Sequence, residues 1–288
     1  MRDVEGRFRS VLQPLYGEGE TQSMFLLLCE AFLGWSTTDY LLRRSENINQ
    51  SDLLKFHWAI EDLRKYRPIQ HVIGYAYFCG CKIKVSPAVL IPRPETEEIV
   101  QKIIVGRLPL GGAILDLCTG SGCIAIALKK AFPDARVVAV DVSPEALAVA
   151  QENALENGAD VQFILSDVLS PCFPDFQLPA CGLIVCNPPY VLEKERAKME
   201  HNVLDYEPAL ALFVPDEDPL RYYRAVVNFA KEYLCPKGRL YFEINETQGA
   251  DTVRLLQGAS FSAVELHRDF RGKDRCVEAM LIPSGGCR

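Results

Sequence analysis

Apolar residues recur at helical spacing through the first part of the chain. Steps of three and four residues between them are typical of helices that bury one face. The stripes contain Val4, Phe8, Val11, Leu12 and Leu15, then Met24, Leu27, Leu28 and Ala31, then Leu53, Leu54, Ile60 and Leu63. Pro68 ends the third segment, because proline has no amide hydrogen to continue a helix. Residues 1–73 are therefore predicted to form a small helical bundle.

The pattern changes between residues 74 and 91. Short apolar runs in this segment contain Gly80 and are interrupted at Pro87, which favours a β-hairpin or extended linker over a helix. A helix ending near Val105 follows, since Pro94 suits a first helical turn and the acidic residues after it complement the helix dipole. Residues 74–91 are interpreted as a linker between two domains.

From Gly112 onwards, short apolar runs alternate with segments of helical spacing. This alternation is typical of strands joined by helical crossovers. The predicted strands cover residues 113–117, 136–140, 161–165, 182–186, 239–244, 262–267 and 276–282. Residues 92–288 are therefore predicted to form a doubly wound, Rossmann-like α/β domain with a seven-stranded sheet.

Composition narrows the classes of partner and compartment. The 288 residues include 31 Lys and Arg against 38 Asp and Glu, a formal net charge of -7 that disfavours stable nucleic-acid binding. No apolar run approaches the roughly 20 residues of a membrane-spanning helix. The 11 cysteines are scattered, without the spacing of a zinc site or a disulfide framework. We expect a cytoplasmic monomer with no metal and no membrane contact.

A glycine-containing turn follows the first strand of the α/β domain. It comprises Cys118, Thr119, Gly120, Ser121 and Gly122. Glycines at such a turn let the backbone approach a ligand closely. Asp141 ends the next strand, where a carboxylate can accept hydrogen bonds from two ribose hydroxyls. The glycine-containing turn and Asp141 together predict a cofactor that contains a nucleoside.

The identity of that nucleoside is less constrained by the pattern. The turn lacks the G-x-G-x-x-G spacing, although nicotinamide cofactors also use glycine-rich turns followed by an acid. Asp116 precedes the glycines and suits the cationic amino-acid end of S-adenosylmethionine, directly or through water. Ser166 and Asp167 follow the next strand and can meet an adenine amine. A single Asp is more often a cap, but three acids at successive strand ends favour a site.

The segment Asn187-Pro188-Pro189-Tyr190 follows an apolar strand and carries the candidate chemistry. A planar NH₂ group is a poor nucleophile because its lone pair is delocalised. The side-chain oxygen of Asn187 and the carbonyl of Pro188 can accept its two hydrogens, which orients the nitrogen and stabilises developing positive charge. Tyr190 can pack against the flat group. No histidine is needed as a base, and His57, His71, His201 and His267 are scattered.

These stretches resemble the release-factor glutamine methyltransferases, the HemK/PrmC family, over nearly the whole chain. The segments that carry the resemblance are Pro68–Gly74, Leu90–Glu97, Asp116–Gly122, Asn187–Tyr190, Tyr206–Leu210, Glu243 with Gln248, and Asp269–Arg275. The resemblance implies a class I S-adenosylmethionine-dependent methyltransferase domain. It also implies methylation of the side-chain amide nitrogen of the glutamine in the Gly-Gly-Gln motif of class 1 peptide chain release factors, which the N-terminal domain and linker help to hold.

The resemblance also assigns site residues. It places cofactor contacts at Asp116, Cys118, Thr119, Gly120, Ser121, Gly122, Asp141, Asp167, Val168 and Asn187. The substrate turn falls on Asn187–Tyr190, with Arg93 and Glu95 as further substrate contacts. Two positions depart from the family pattern: Cys118 replaces the usual glycine, and Val168 stands where an aromatic residue is common. Both can alter cofactor packing.

Two other functions fit parts of the sequence. The Asn-Pro-Pro-Tyr turn is shared with enzymes that methylate exocyclic amines of DNA and RNA, but the chain lacks a convincing basic surface. A non-catalytic module could bind cofactor and grip a translation factor, but such a module has no need of the acceptors at Asn187 and Pro188.

Overall fold

The structure is a computed structural model that describes residues 1–106, 111–174 and 178–282. It contains two compact units, one formed by Met1–Tyr75 with Glu200–Tyr206 and the other by Ala76–Met199 with Glu207–Arg288. The predicted domain limit at residue 288 lies outside the described residues. Within those residues, no helix is both long and apolar enough to cross a lipid bilayer.

Helices dominate the start of the chain, and strands alternate with helices after it. The first half contains α1 (Arg2–Leu33), α2 (Thr37–Arg43), α3 (Gln50–Leu63), α4 (Ile69–Ile73), β1 (Tyr75–Phe78), β2 (Cys81–Lys84), α5 (Pro94–Val105), β3 (Ala113–Leu117), α6 (Cys123–Ala131), β4 (Val137–Asp141) and α7 (Pro144–Glu156). The second half contains β5 (Gln162–Leu165), β6 (Cys181–Cys186), β7 (Val191–Leu192), a 3₁₀ helix (Glu193–Lys198), α8 (His201–Leu204), α9 (Ala209–Leu212), β8 (Phe213–Val214), α10 (Arg221–Tyr233), β9 (Leu234–Glu243), α11 (Gly249–Gly258), β10 (Phe261–Arg268) and β11 (Asp274–Leu281).

The N-terminal unit is a helical bundle, as the apolar spacing predicts. Its two first stripes belong to α1, which is interrupted at Gly17, where φ is 76° and ψ is 171°. The core packs aromatic side chains against one another, with the Phe25 and Phe56 ring centroids 5.7 Å apart. The prediction for α3 is partly wrong, because Leu53 and Leu54 are 47% and 43% exposed. The buried face of α3 is formed by Phe56, Ala59, Ile60 and Leu63.

The second unit is built on a seven-stranded sheet in the order β10-β11-β9-β6-β3-β4-β5. Strands β9, β6, β3, β4 and β5 are parallel, and β11 runs antiparallel to both of its neighbours. This confirms the predicted doubly wound sheet. Alternate residues of a strand face opposite sides of its sheet. In β3, Ile114 accordingly packs in one core layer and Leu115 packs in the other. Helices α5 and α6 cover the first side, and α10 and α11 cover the second.

The hairpin β1–β2 packs within the second unit. The side chain of Asn153, in α7, accepts the backbone N–H of Lys84 at 2.7 Å and donates to the Lys84 carbonyl at 3.0 Å. The same amide donates to the Ser121 carbonyl at 2.9 Å. One buried asparagine thus connects the hairpin to the glycine-containing turn. The limits 1–73, 74–91 and 92–288 stay predictions for the domain boundaries.

Candidate active site

The site lies at the point where the strand order of the sheet reverses. From β3 the chain continues to β4 and β5 on one side, whereas β6 and β9 lie on the other. Leu117 pairs with Cys186, so the residues that follow, Cys118 and Asn187, leave the sheet side by side. Ligands of doubly wound folds bind at such a switch point, outside the carboxyl ends of the strands.

An open cavity of about 990 Å³ occupies this position. Of the predicted site residues, its wall contains Arg93, Cys118, Thr119, Gly120, Ser121, Asp141, Asp167, Val168, Asn187 and Pro189. Five others are absent from the wall, namely Glu95, Asp116, Gly122, Pro188 and Tyr190. This volume includes space that is open to solvent.

The glycine-containing turn has a left-handed backbone at three positions. Cys118, Gly120 and Gly122 have φ values of 60°, 55° and 80°. Glycine adopts this region without steric cost, whereas an L side chain does not. This explains why glycine is usual at the position of Cys118 in the family that the sequence resembles. A Cβ at Gly122 would also lie 3.0 Å from the Cβ of Ala150, so a side chain there would crowd α7 as well as strain the backbone.

Asp116 lies beneath this turn and is fully buried. One carboxyl oxygen accepts the Thr119 hydroxyl at 2.5 Å and the Ala125 backbone N–H at 3.1 Å. No hydrogen-bond donor among the described residues reaches its other oxygen. Burial raises the pKa of Asp116 to about 7, against the hydrogen bonds from Thr119 and Ala125, which lower it. In this structure Asp116 holds the turn onto α6, and its role towards a cofactor stays a prediction.

Asp141 stands at the end of β4 on the cavity wall. Its two carboxyl oxygens accept the backbone N–H groups of Gly120 at 2.8 Å and Ser143 at 3.0 Å. Burial raises the pKa of this carboxyl above its ordinary value. Each oxygen keeps a lone pair that can accept a further hydroxyl. The carboxylate is therefore fixed in place and can still bind a ribose.

After β5, Ser166, Asp167 and Val168 contribute to the same wall. Asp167 is exposed, and its Oδ1 accepts the backbone N–H of Leu169 at 2.8 Å. Val168 is 7% exposed and belongs to the core layer of α10.

The Asn187–Tyr190 turn is held from below by side-chain hydrogen bonds. Asn187 Nδ2 donates to Thr96 Oγ1 at 3.4 Å, and the Tyr190 hydroxyl donates to Glu243 Oε1 at 2.9 Å. Asn245 Nδ2 also donates to the Tyr190 carbonyl at 3.3 Å. Burial raises the pKa of the Tyr190 hydroxyl well above its ordinary value, so it remains protonated at neutral pH. The turn presents Asn187 and Pro189 to the cavity.

The two further predicted substrate contacts are placed differently. Arg93 is on the cavity wall, and its Nη2 donates to Glu207 Oε1 at 2.5 Å. Glu95 is absent from the wall and lies 3.9 Å from Arg271 Nε. Their contacts with a substrate stay predictions.

Three residues of the site received no role in the sequence interpretation. Thr96 and Glu243 are buried and hydrogen-bonded to each other at 2.6 Å, and Glu207 is buried against Ile91 and Arg93. Glu243 gave a usable signal, because a lone carboxylate at the end of an apolar strand needs partners when it is buried. Thr96 and Glu207 lie in segments that carry the family resemblance, but their roles were not predictable because their partners are distant in sequence.

One histidine has closer acidic neighbours than the sequence indicated. His267 Nε2 lies 3.3 Å from Glu278 Oε2 and 3.6 Å from Glu265 Oε2, a group that could hold a metal ion. Arg239 also pairs with Glu278 and offsets its charge. These residues are absent from the wall of the cavity.

Comparison with known proteins identifies the family. Residues 7–74 match the model of the PrmC N-terminal domain, and residues 97–206 match that of the methyltransferase small domain. A release factor glutamine methyltransferase from Bacteroides thetaiotaomicron is 44% identical over 97% of this chain and 99% of its own length. One from Flavobacterium psychrophilum is 39% identical over 96% and 98%.

A solved structure supports the fold alone. A methyltransferase from Pyrococcus furiosus superimposes with a TM-score of 0.52 at 17% identity, covering 70% of this chain and 90% of that one. The full-length similarity to the curated relatives decides the assignment. This chain belongs to the release factor glutamine methyltransferase family.

Proposed function

We propose that the protein transfers a methyl group from S-adenosylmethionine to the side-chain amide nitrogen of the glutamine in the Gly-Gly-Gln motif of class 1 release factors, and thereby modulates translation termination. The observation that carries this proposal is the juxtaposition of Asn187 with the turn that begins at Cys118, both at one cavity. The names of relatives that match over nearly their whole length support the choice of substrate.

The cavity fits the cofactor. The Asp141 carboxylate would hold the ribose hydroxyls, and Asp167 would face the adenine amine. The turn residues Cys118, Thr119, Gly120 and Ser121 line the same wall. When bound, S-adenosylmethionine would supply the methyl group of its sulfonium ion and would leave as S-adenosyl-L-homocysteine. The chain's own residues bind and orient the two reactants.

The acceptor amide is positioned by Asn187 and Pro188. Asn187 Nδ2 is occupied by Thr96, which leaves the Asn187 carbonyl oxygen to accept one N–H of the incoming glutamine. The backbone carbonyl of Pro188, a residue that is buried and absent from the cavity wall in this structure, is proposed to accept the other when the substrate binds. Two acceptors aimed at both hydrogens turn the nitrogen towards the methyl group and stabilise its positive charge as the bond forms. The nitrogen then loses a proton readily, so no strong base is required before attack.

We further propose that the N-terminal unit contacts the release factor. We also propose that the enzyme acts as a monomer in the cytoplasm, where its substrate is found. The helical bundle matches the PrmC N-terminal domain, which supports a shared role in substrate recognition. The net charge of -7 favours a protein substrate over free nucleic acid.

The test is transfer of labelled methyl from S-adenosylmethionine to four acceptors. These are purified release factor, a version with its Gly-Gly-Gln glutamine replaced by alanine, total RNA and total DNA. We expect label on the intact factor alone. Label on nucleic acid would support the exocyclic-amine alternative, and no label on any acceptor would support a scaffold.

Substitution of Asn187→Ala separates an enzyme from a scaffold. We expect this variant still to bind S-adenosylmethionine and release factor. We expect its kcat to fall by about 100-fold or more, because one of the two acceptors that orient the amide nitrogen is lost. Calorimetry measures the binding, and labelled-methyl transfer measures the turnover. An unchanged kcat would contradict the role assigned to Asn187.

A further inference from the structure

Three side chains form a hydrogen-bonded chain beneath the proposed acceptor site. Glu243 Oε2 accepts the Thr96 hydroxyl at 2.6 Å, and Thr96 Oγ1 accepts Asn187 Nδ2 at 3.4 Å. Glu243 and Thr96 are each 3% exposed, whereas Asn187 reaches the cavity. The hydroxyl group of Thr96 thus connects Glu243 to Asn187 at the acceptor site.

The carboxylate fixes the direction of every hydrogen bond in this chain. An ionised carboxylate accepts hydrogen bonds and cannot donate them. The hydroxyls of Thr96 and Tyr190 must therefore both donate to Glu243. The Thr96 oxygen is then left with lone pairs only, and these pair with the NH₂ end of the Asn187 amide. The carbonyl end of Asn187 consequently points away from Thr96 and is available to a substrate.

We propose that Glu243 is a positioning residue that sets the orientation of the Asn187 amide through Thr96. The inference rests on the proposed function, since it assigns Asn187 the role of acceptor for the glutamine N–H. With the opposite orientation, Asn187 would present its NH₂ to the NH₂ of the substrate. Two donors cannot pair, so the amide flip would remove the orienting contact.

The protonation state of Glu243 controls this polarity. Burial raises the pKa of Glu243, while the hydrogen bonds from Thr96 and Tyr190 and the charge of Arg275 oppose this. Protonation at low pH would let Glu243 donate to Thr96, which removes the constraint on Asn187. Activity is therefore expected to fall as the pH decreases through the pKa of Glu243. The ionisable groups that face this carboxyl from the surrounding elements are Glu95, Tyr190, Tyr223, Arg275 and Cys276.

Kinetics of three variants test the proposal. Glu243→Gln can donate to Thr96, and Thr96→Val cannot accept from Asn187. Both are expected to lower kcat for release factor by about 10- to 100-fold, with KM for S-adenosylmethionine within about twofold of the wild type. Thr96→Ser keeps the hydroxyl and is expected to retain kcat within about threefold. The double variant Glu243→Gln/Thr96→Val is expected to be no slower than the slower single variant, since both act through one contact.

The pH profile distinguishes positioning from a general loss of structure. The wild type is expected to show an acid limb in kcat that is missing in Glu243→Gln. A structural role predicts instead that kcat, cofactor affinity and melting temperature fall together, and that Thr96→Ser does not restore the rate. Equal kcat values for Glu243→Gln and the wild type would overturn the proposal.

A spectroscopic measurement decides the inference without any turnover. With ¹⁵N-asparagine labelling, the Asn187 side-chain resonances are assigned by their absence in Asn187→Ala. We expect these resonances to shift in Glu243→Gln and in Thr96→Val, and to remain close to the wild type in Thr96→Ser. Unshifted resonances in the first two variants would refute control by Glu243. Absence of methyl transfer by the wild type would refute the proposed function, and the resonances would still report on the amide.

Discussion

Glu207 joins two segments of the cavity wall. Its side chain is 1% exposed, and its oxygens accept the Ile91 backbone N–H at 3.0 Å and Arg93 Nη2 at 2.5 Å. Leu90 and Pro92, on either side of Ile91, line the cavity, as does Arg93. A substitution that breaks these contacts is expected to loosen the wall and to destabilise the unit that contains it.

The cost can be worked out from the two contacts. A hydrogen bond to a charged group contributes about 1.5–3 kcal/mol, and Arg93 recovers part of this from water because it is 32% exposed. Glu207→Gln keeps one acceptor oxygen and turns an NH₂ group towards the other donor, so we expect a loss of about 2 kcal/mol in unfolding free energy. Glu207→Ala leaves both donors unpaired and should lose about 3–4 kcal/mol.

Thermal unfolding monitored by circular dichroism measures the effect, and calorimetry measures binding of S-adenosylmethionine. For Glu207→Gln the melting temperature is expected to fall by about 5 °C, with weaker cofactor binding. Glu152→Gln is the matched control, since it breaks an ion pair with Lys84 whose partners are 56% and 50% exposed, and it should change neither quantity. Equal behaviour of the two variants would refute the reasoning.

The strands were predictable because of how deeply the sheet is buried. All five residues of Ala113–Leu117 and all six of Cys181–Cys186 are buried, and strands covered on both faces have nearly continuous apolar runs, which Asp116 interrupts in the first of these. The start of β9 was not predictable in this way. It begins at Leu234, ahead of the predicted residue 239, because Leu234 pairs with Cys181. Pairing depends on a partner strand that local sequence does not reveal.

The site shows the same division between local and distant causes. The turn after β6 was found because Asn187 and Tyr190 flank two prolines, a pattern that sequence displays directly. The bond between Thr96 and Glu243 was not found, because it joins residues 147 positions apart. Asp116 was recognised as a carboxylate near the turn, but its burial depends on the packing of α6, which only the fold supplies.

Two predictions concern the residues around the glycine-containing turn. Cys118 has a φ of 60°, which glycine adopts without strain and alanine does not. The unfolding free energy of Cys118→Gly, measured in urea, is therefore expected to exceed that of Cys118→Ala, which also lacks the thiol, by about 1 kcal/mol. Equal stabilities of the two variants would contradict backbone strain at this position. Asp116 has a folded-state pKa of about 7 against an ordinary value of 3.8. Between these pH values the folded protein holds a proton that the unfolded chain releases, so the unfolding free energy of the wild type falls as the pH rises. Relative to Asp116→Asn, which has no such proton, the fall between pH 5 and pH 8 should be about 2.5 kcal/mol, because the roughly two pH units from 5 to the folded pKa of about 7 contribute about 1.4 kcal/mol each. Urea unfolding of both proteins at pH 5 and pH 8 measures it, and parallel pH dependences would show that the Asp116 carboxyl is ionised in the fold.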